Sequence, residues 1–219
     1  MKTRALLWKL AILVLMTTPV HGKDNPAATE SYEKTLEQLK SGDLKIDFKA
    51  LRVNCARSKY ECQADPDDIK VLFSLLNGKK FDEALKKVNQ VLEKVFVDVE
   101  LHYIAYTANA ESGNKDKAEF HKMVLRGLLD SIQENKHGRS EEDAFVVINV
   151  HEEYTFLRSS NMQVKKQSMS QKDGHTYDIM VSKDMSDNRI FQRRYSHTEF
   201  ERCFDELTTV SFLKTQASY

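Results

Sequence analysis

Between Asp65 and Ile132 the apolar residues recur every three or four positions, which is the period of an amphipathic α-helix. Four such apolar stripes follow one another, with short polar segments between them. The sequence therefore predicts four consecutive helices arranged as two hairpins, each too thin to bury its apolar face alone. In order, the stripes contain Ile69, Leu72, Phe73 and Leu76; Phe81, Ala84, Leu85, Val88, Leu92 and Val95; Leu101, Ile104, Ala105 and Ala108; and Ala118, His121, Leu125, Leu128 and Ile132.

The ends of these helices are marked by residues with known terminal preferences. Asp65 followed by Pro66 is typical of a helix start, and Asp98 can cap the third helix. Gly78 and Gly113 follow the first and the third helix, and we expect both in the left-handed backbone conformation that ends many helices.

The two predicted hairpins have matching internal spacing. Ala84 and Ala118 occupy equivalent positions in the second helix of each hairpin, 34 residues apart. That distance is the period of tetratricopeptide repeats. Because about three repeats are usually needed for a stable array, another part of the chain must cover the open faces. A predicted helix with Tyr32, Leu36 and Leu39 on its apolar face precedes the repeats and can cap the first hairpin, and the apolar face of the C-terminal sheet described below is expected to cover one side of the array.

After residue 143 the pattern of apolar residues becomes that of strands. A continuous apolar run is followed by a short helix, then by three segments separated by hairpin-type turns. The predicted fold class is α+β, with N-terminal tetratricopeptide-like helical hairpins packed against a small C-terminal antiparallel sheet. The predicted strands cover residues 144–149, 164–170, 177–182 and 189–195, and the predicted helices cover 151–159 and 200–213.

The first residues form a separate unit. Lys2, Arg4 and Lys9 flank or interrupt an apolar run, and the segment 1–22 has the features of a secretory signal peptide. That run is too short for the roughly 20 residues that span a bilayer, and no other membrane-spanning segment is predicted. We therefore divide the chain into a signal peptide (1–22), a helical region (23–133) and a small α/β region (143–219). The expected location is the periplasm or the extracellular space.

Charge and motifs exclude several classes of function. The chain has 33 basic and 33 acidic residues, so it lacks the basic surplus typical of nucleic-acid binding. The sequence contains no phosphate-binding glycine loop, no GxSxG, no HExxH and no CxxC. It therefore predicts no catalytic residue, metal ligand or cofactor, although distant residues can still assemble a site.

Three cysteines are present, and export would place them in an oxidising compartment. Cys55 and Cys62 lie seven residues apart in a polar stretch and can close a small loop as a disulfide. Their spacing is not that of a redox or zinc motif. Cys203 lies beside apolar residues, which is typical of a small buried side chain.

A few residues are candidates for binding. Tyr103 and Tyr106 lie off the apolar stripe of the third helix, where aromatic residues often act as interface anchors. His121 lies on an apolar stripe, so a hydrogen-bonded core position competes with a ligand role. His175 and Asp178 lie three residues apart near a turn, where such a pair either stabilises the turn or acts on a ligand.

Several short segments along the chain are informative when they are taken together. They are Asp47-Phe48, Leu51-Arg52, Lys117-Ala118, Phe120-His121, Gly127-Leu128-Leu129, Ser131-Ile132, the run 144–148, the run 152–154, Gln167-Ser168, Gly174-His175 and Tyr177-Asp178. Together these segments resemble an exported bacterial family catalogued as a domain of unknown function, number four-nine-one-nine. The similarity extends from about residue 47 to residue 195, and the family is described as tetratricopeptide-like. The resemblance implies no established activity, ligand or catalytic residue.

Three functional hypotheses follow. The first is a non-catalytic binding or adaptor module of the bacterial envelope that takes a protein or peptide partner. The second is an enzyme or metal-dependent protein in which His121, His175, Glu153 and Asp178 meet between the helical and sheet regions. The third is a purely structural envelope component. The sequence does not determine the oligomeric state.

Overall fold

The computed structural model describes residues 25–182 and 188–193. The predicted signal peptide, the predicted last helix over 200–213 and Cys203 lie outside the described residues. Within the described part, no helix is both long and apolar enough to cross a membrane.

Seven helices and four strands make up the described residues. The helices are α1 (Pro26–Lys40), α2 (Phe48–Arg57), α3 (Pro66–Asn77), α4 (Phe81–Leu92), α5 (Val99–Glu111), α6 (Lys115–Gln133) and α7 (Val150–Ser159). The strands are β1 (Phe145–Val147), β2 (Val164–Lys172), β3 (His175–Ser182) and β4 (Asn188–Arg193). The helices occupy mostly the N-terminal part and the sheet the C-terminal part, so the predicted α+β class is confirmed.

The four predicted helices α3 to α6 pack against one another in sequence order. Helix α3 contacts α4 and α5, and α5 contacts both α4 and α6. Ala84 and Ala118 are both buried, as expected for positions where two helices approach closely. The assignment of these hairpins to the tetratricopeptide class stays a prediction.

Helix starts follow the sequence closely, but one helix end does not. The side chains of Asp47, Asp65 and Asp98 each accept a backbone N–H in the first turn of the following helix. Gly113 has the expected positive φ of 77°. The expectation for Gly78 was wrong: its φ is −76°, and Lys79 adopts the left-handed conformation with φ 56°. A Cβ at Gly78 would lie 3.3 Å from the Ser74 carbonyl oxygen, which is tight.

Helices α1 and α2 cover the helical array. They pack on each other, and α2 also contacts α6. Tyr32, Leu39 and Leu51 belong to the same buried cluster as the apolar residues of α3 to α6. The ring of Phe48 lies so close to Gly127 of α6 that an added Cβ would come within 2.4 Å of it. The N-terminal pair of helices is therefore an integral part of the core.

The sheet has the order β1-β4-β3-β2. Strands β2, β3 and β4 form antiparallel pairs, as predicted. Strand β1 runs parallel to β4, so the expectation of a purely antiparallel sheet was wrong for this strand. A parallel pair needs a long crossover, and here the connection consists of α7 and the β2–β3 hairpin.

A second, smaller apolar cluster joins the sheet to the helices. The rings of Phe145, Phe156 and Phe191 pack on one another with centroid distances of 4.8 to 6.0 Å. The same cluster also contains Ile132 at the end of α6, Val147 of β1, Leu157 of α7 and Met180 of β3. The end of α6 and helix α7 thus lie between the helical array and the sheet.

Candidate functional site

Arg52 and Glu152 form an ion pair in the interior where α2, α6, α7 and β1 meet. Arg52 is 0% exposed and Glu152 is 3% exposed. The Nε and Nη2 atoms of Arg52 each donate to one carboxylate oxygen of Glu152 at 2.6 Å. This two-point contact fixes the orientation of both side chains.

The remaining polar atoms of this pair also have partners. Arg52 donates to the Val146 carbonyl at 2.6 Å and to the Ser131 hydroxyl at 3.0 Å, and Glu152 accepts the Ile148 N–H at 2.9 Å. Buried charges are tolerated only when they are paired and hydrogen-bonded. The Arg52–Glu152 pair therefore acts as a fixed polar joint between α2 and the α7–β1 region.

A second polar cluster lies at the start of α5 and α7. The Nε2 atom of His151 is 3.6 Å from Asp98 and 3.3 Å from Glu100. Glu100 also pairs with Arg158, and Asp98 accepts the Ala64 N–H at 2.9 Å. We call these residues the His151 cluster. It links α5, α7 and the segment that precedes α3.

Protonation in the His151 cluster is shifted by burial and by opposite charges. Burial of His151 opposes its charged form, but the carboxylates of Asp98 and Glu100 outweigh this effect and raise its pKa to about 9. Burial alone would raise the pKa of Asp98, yet the His151 imidazolium and the backbone donors hold it below its usual value. His151 is therefore a cation at neutral pH, balanced by the two carboxylates.

His121 pairs with another histidine, His102 of α5. Their Nδ1 atoms are 3.0 Å apart, and Nε2 of His102 lies 2.7 Å from the Phe96 carbonyl oxygen. Because a carbonyl only accepts, Nε2 of His102 carries the proton, and its Nδ1 accepts from His121. Burial, followed by the neighbouring His121, lowers the pKa of His102 to about 3. Burial and nearby Lys117 lower that of His121 to about 4, so both rings are neutral at pH 7.

A third polar group lies between α7 and the sheet. The Tyr154 hydroxyl donates to Gln167 at 3.0 Å, and the Gln167 amide donates to Asp178 at 3.2 Å. Asp178 and Glu153 are both 0% exposed. Burial, and then the charges of Glu153 and Asp178, raise the pKa of Tyr154. These hydrogen bonds connect helix α7 to strands β2 and β3.

Residues 25–203 match the family described as Domain of unknown function (DUF4919). The chain belongs to this family. It matches none of the curated proteins and none of the solved structures with which it was compared.

Several residues that carry the resemblance to the DUF4919 family meet in the interior. Arg52 contacts Glu152, and Tyr154 and Asp178 both contact Gln167. These side chains come from α2, α7, β2 and β3, which are far apart in the chain. In this chain these residues therefore connect the helices to the sheet.

The predicted site residues fall into separate environments. His121 contacts His102 and Phe120 on the helical side, whereas His175 lies at the β2–β3 turn with its ring near Tyr177. Asp178 points toward α7 through Gln167. The interactions of the two histidines therefore involve different parts of the molecule. Within the described ranges, no group of three or more His, Cys, Asp or Glu side chains has the arrangement of a metal site.

Tyr103 and Tyr106 lie on the single open strip of helix α5. Tyr103 is 46% exposed, and its ring centroid is 6.3 Å from that of Phe73 on α3. Tyr106 and Thr107 are half-buried, and Ala110 is exposed. These residues follow helical spacing, so they share one face with Tyr103. We call Phe73, Tyr103, Tyr106, Thr107 and Ala110 the α3–α5 strip.

The two cysteines in α2 and the loop after it are joined in the structure. The Sγ atoms of Cys55 and Cys62 are 2.03 Å apart and form a disulfide bond between residues separated by 7 positions in the sequence. Cys62 also lines a small pocket with Asp98, Asn149 and His151. The disulfide loop is therefore adjacent to the His151 cluster.

Sequence reasoning missed the main polar contacts. Arg52 lies on the same helical face as Phe48 and Cys55, and a charged residue on an otherwise apolar stripe is a usable signal of a buried ion pair. Glu152 lies in the first turn of α7, where acidic residues are common, and nothing local in the sequence identifies Arg52 as its partner. The link between Asp98 and His151 likewise joins residues 53 positions apart.

Proposed function

We propose that this DUF4919 protein is an exported, non-catalytic binding module of the bacterial envelope. In this proposal the α3–α5 strip binds a peptide segment of a partner protein. The helices around the strip, together with the sheet, form the rigid support that positions it. The observation that carries the proposal is the pair of aromatic side chains, exposed Tyr103 and half-buried Tyr106, on the open face of a largely buried helix.

Helix α5 is the most enclosed helix of the repeat region. Eight of its residues are buried, including Leu101, Ile104 and Ala105. A helix in that position is expected to expose polar residues on its remaining face, yet this face carries Tyr103 and Tyr106. Aromatic side chains supply large contact areas at low entropic cost, and they are common anchors in protein interfaces.

The polar clusters support a structural role for the rest of the molecule. His121 is engaged by His102, Glu152 by Arg52, and Glu100 by Arg158. A catalytic group must reach a substrate in a cleft, whereas these groups are turned toward each other. The contacts favour a scaffold over an enzyme.

A peptide-display selection against the mature protein tests the proposal. Peptides that bind the wild type should lose most of their affinity for the double variant Tyr103→Ala/Tyr106→Ala, by roughly 2 kcal/mol or more if both act as anchors. The matched control is Met123→Ala, which removes an exposed apolar side chain from α6. If selected peptides bind the double variant and the wild type equally, the α3–α5 strip is not the binding surface.

Export is a separate part of the proposal and has its own test. It is supported by the signal-like segment 1–22. Cell fractionation of the full chain should recover a processed protein in the periplasm or medium. Replacing Leu6, Leu7 and Leu10 by charged residues should retain the unprocessed protein in the cytoplasm. Retention of the wild type inside the cell would contradict export.

The alternative function is a ligand-dependent or catalytic site between α7 and the sheet. It is favoured by one observation, the burial of both Asp178 and Glu153 beside Tyr154. This alternative predicts that a small ligand or divalent cation changes the ultraviolet absorbance of Tyr154, and that Tyr154→Phe abolishes the change. An unchanged spectrum across a panel of cations and small metabolites would leave the binding-module proposal as the better account.

A further inference from the structure

We propose that strand β2 is a second docking surface, which accepts an extended acidic segment of another protein as an additional strand. The surface is distinct from the α3–α5 strip, since it lies in the sheet. Its expected ligand is an extended chain in which acidic and apolar residues alternate.

The position of β2 in the sheet favours the addition of a further strand. Among the described strands β2 lies at one end of the order β1-β4-β3-β2 and pairs only with β3. The register from Lys166 to Lys172 is regular. Alternate backbone N–H and C=O groups of an edge strand point away from its only neighbour. The edge therefore offers a row of main-chain donors and acceptors to an incoming strand.

The opposite edge of the sheet is different. Strand β1 has only three residues, Phe145–Val147, and all three are buried. It packs against α6 and α7. In contrast, β2 has nine residues, of which none is buried. The two edges are thus unequal, and β2 is the one that can accept a partner.

The distribution of charge along β2 favours an acidic ligand. The strand contains Lys165, Lys166 and Lys172 and no acidic residue. Lys172 already binds Glu141 and Glu142 at the end of the strand. Lys166 lies at the other end and is exposed. An acidic residue of the incoming strand is therefore expected opposite Lys166, where cross-strand pairs of opposite charge are favourable.

The two faces of β2 carry different side chains. Lys166, Ser168 and Ser170 lie on one face, while Gln167 and Met169 lie on the other, since side chains alternate along a strand. Met169 is 45% exposed. Residues paired across two strands share a face. A matching ligand therefore presents acidic residues on the Lys166 face and apolar residues on the Met169 face, which requires strict alternation.

The same charges disfavour a second copy of the chain as the occupant. Two β2 strands would each contribute Lys165 and Lys166 with no acidic residue in either strand, while Lys172 of each copy is already paired with Glu141 and Glu142. Edge lysines are a common means of preventing such self-pairing. An acidic strand avoids this repulsion and is attracted to the same lysines. We therefore expect the occupant to be an acidic segment of another protein.

Fluorescence anisotropy with three labelled nine-residue peptides tests this inference on the mature protein. In the first peptide glutamate alternates with valine; the second has the same composition in two blocks; in the third lysine replaces glutamate. The proposal requires that the alternating acidic peptide binds best, and that binding weakens as salt is raised. The block peptide cannot serve both faces of β2 and should bind much more weakly.

Two variants with matched controls locate the surface. Lys166→Glu should weaken binding about threefold to tenfold, whereas the same change at exposed Lys86 of α4 should have no effect. Met169→Ser should weaken binding, and Met123→Ser on α6 should not. Amide hydrogen exchange provides an independent readout, because every second amide of β2 should gain protection in the complex.

Three outcomes would overturn the inference. The first is equal binding of the alternating and block peptides, since it would show charge attraction without strand addition. The second is equal binding by the Lys166→Glu and Lys86→Glu variants. The third is protection of β2 that grows with protein concentration in the absence of peptide, which would identify a second copy of the chain as the occupant.

Discussion

The helical array and the joint that connects it to the sheet are held together by different interactions. In the array, small and branched apolar residues such as Ala84, Val88 and Ala118 are buried between helices. In the joint, the ion pair of Arg52 and Glu152 lies in the interior together with the His151 cluster. Apolar residues are buried in both regions, but the ion pairs of the joint are more deeply buried than the Lys87–Asp68 pair of the array.

This difference has a consequence for tolerance to substitution. Apolar contacts are non-directional, so conservative exchanges within the array should have modest effects. A buried charge that loses its partner keeps its full desolvation penalty. We therefore expect the joint to be the more fragile region, although its apolar cluster is the smaller one. The following predictions test this contrast, beginning with the largest effect.

Removing the Arg52 cation should give the largest loss of stability. Arg52→Met leaves Glu152 buried without its partner, and we expect the free energy of unfolding to fall by about 3–5 kcal/mol. Urea denaturation followed by circular dichroism measures the change. The double variant Arg52→Met/Glu152→Leu should recover much of the loss, since it removes both charges. A double variant no more stable than Arg52→Met would contradict the assignment of the loss to an unpaired carboxylate.

Reduction of the disulfide should have the next largest effect. The Cys55–Cys62 bridge closes a short loop, and its loss should lower the free energy of unfolding by about 2–3 kcal/mol through the added entropy of the unfolded chain. Denaturation with and without a reducing agent measures this difference. The variant Cys55→Ala/Cys62→Ala serves as control, since the reductant should leave its stability unchanged.

The His151 cluster should make stability depend on pH in a defined window. The pKa of His151 is raised to about 9 in the folded state, against about 6.5 when unfolded. Its contribution is therefore complete below about pH 6.5 and is lost as the pH rises through about 9. Between these values the stability of the wild type should fall more steeply than that of His151→Gln. Parallel pH profiles of the two proteins would show that His151 is not a buried cation.

Breaking an exposed ion pair should have the smallest effect. Lys122 and Glu119 are 3.1 Å apart on α6, with side chains 53% and 60% exposed. Lys122→Gln should change the free energy of unfolding by less than about 0.5 kcal/mol. Because Arg52→Gln also replaces one cation by an amide, comparing the two variants isolates the effect of burial. Similar losses in both would remove the distinction drawn between array and joint.

Much of the helical array could be predicted from local sequence signals. The starts of α2, α3 and α5 were set by Asp47, Asp65 and Asp98, whose side chains satisfy free backbone donors within the next turn. Such signals are readable because cap and helix are adjacent in the chain. The end of α3 was less predictable. The left-handed backbone conformation was expected at Gly78, but the structure has it at the next residue, Lys79.

The candidate site was far less predictable. Tyr103 was identified from its position off the apolar stripe, and this depends on helical spacing alone. The partners of His121 and Asp178, which are His102 and Gln167, could not be inferred because each contact joins different elements. The parallel pairing of β1 with β4 was missed for the same reason, as strand direction depends on the path of the intervening chain.

The sequence by itself determined where the helices form, which of their faces are apolar, and that helices precede a sheet. These properties depend on backbone propensities and on periodicity, which act over a few residues. Only the tertiary structure decided that Arg52 meets Glu152, that His151 lies near two carboxylates, and that β2 is at the end of the strand order in the described sheet. Each of these depends on the relative placement of segments distant in the chain, and that placement is selected by the packing of the whole molecule.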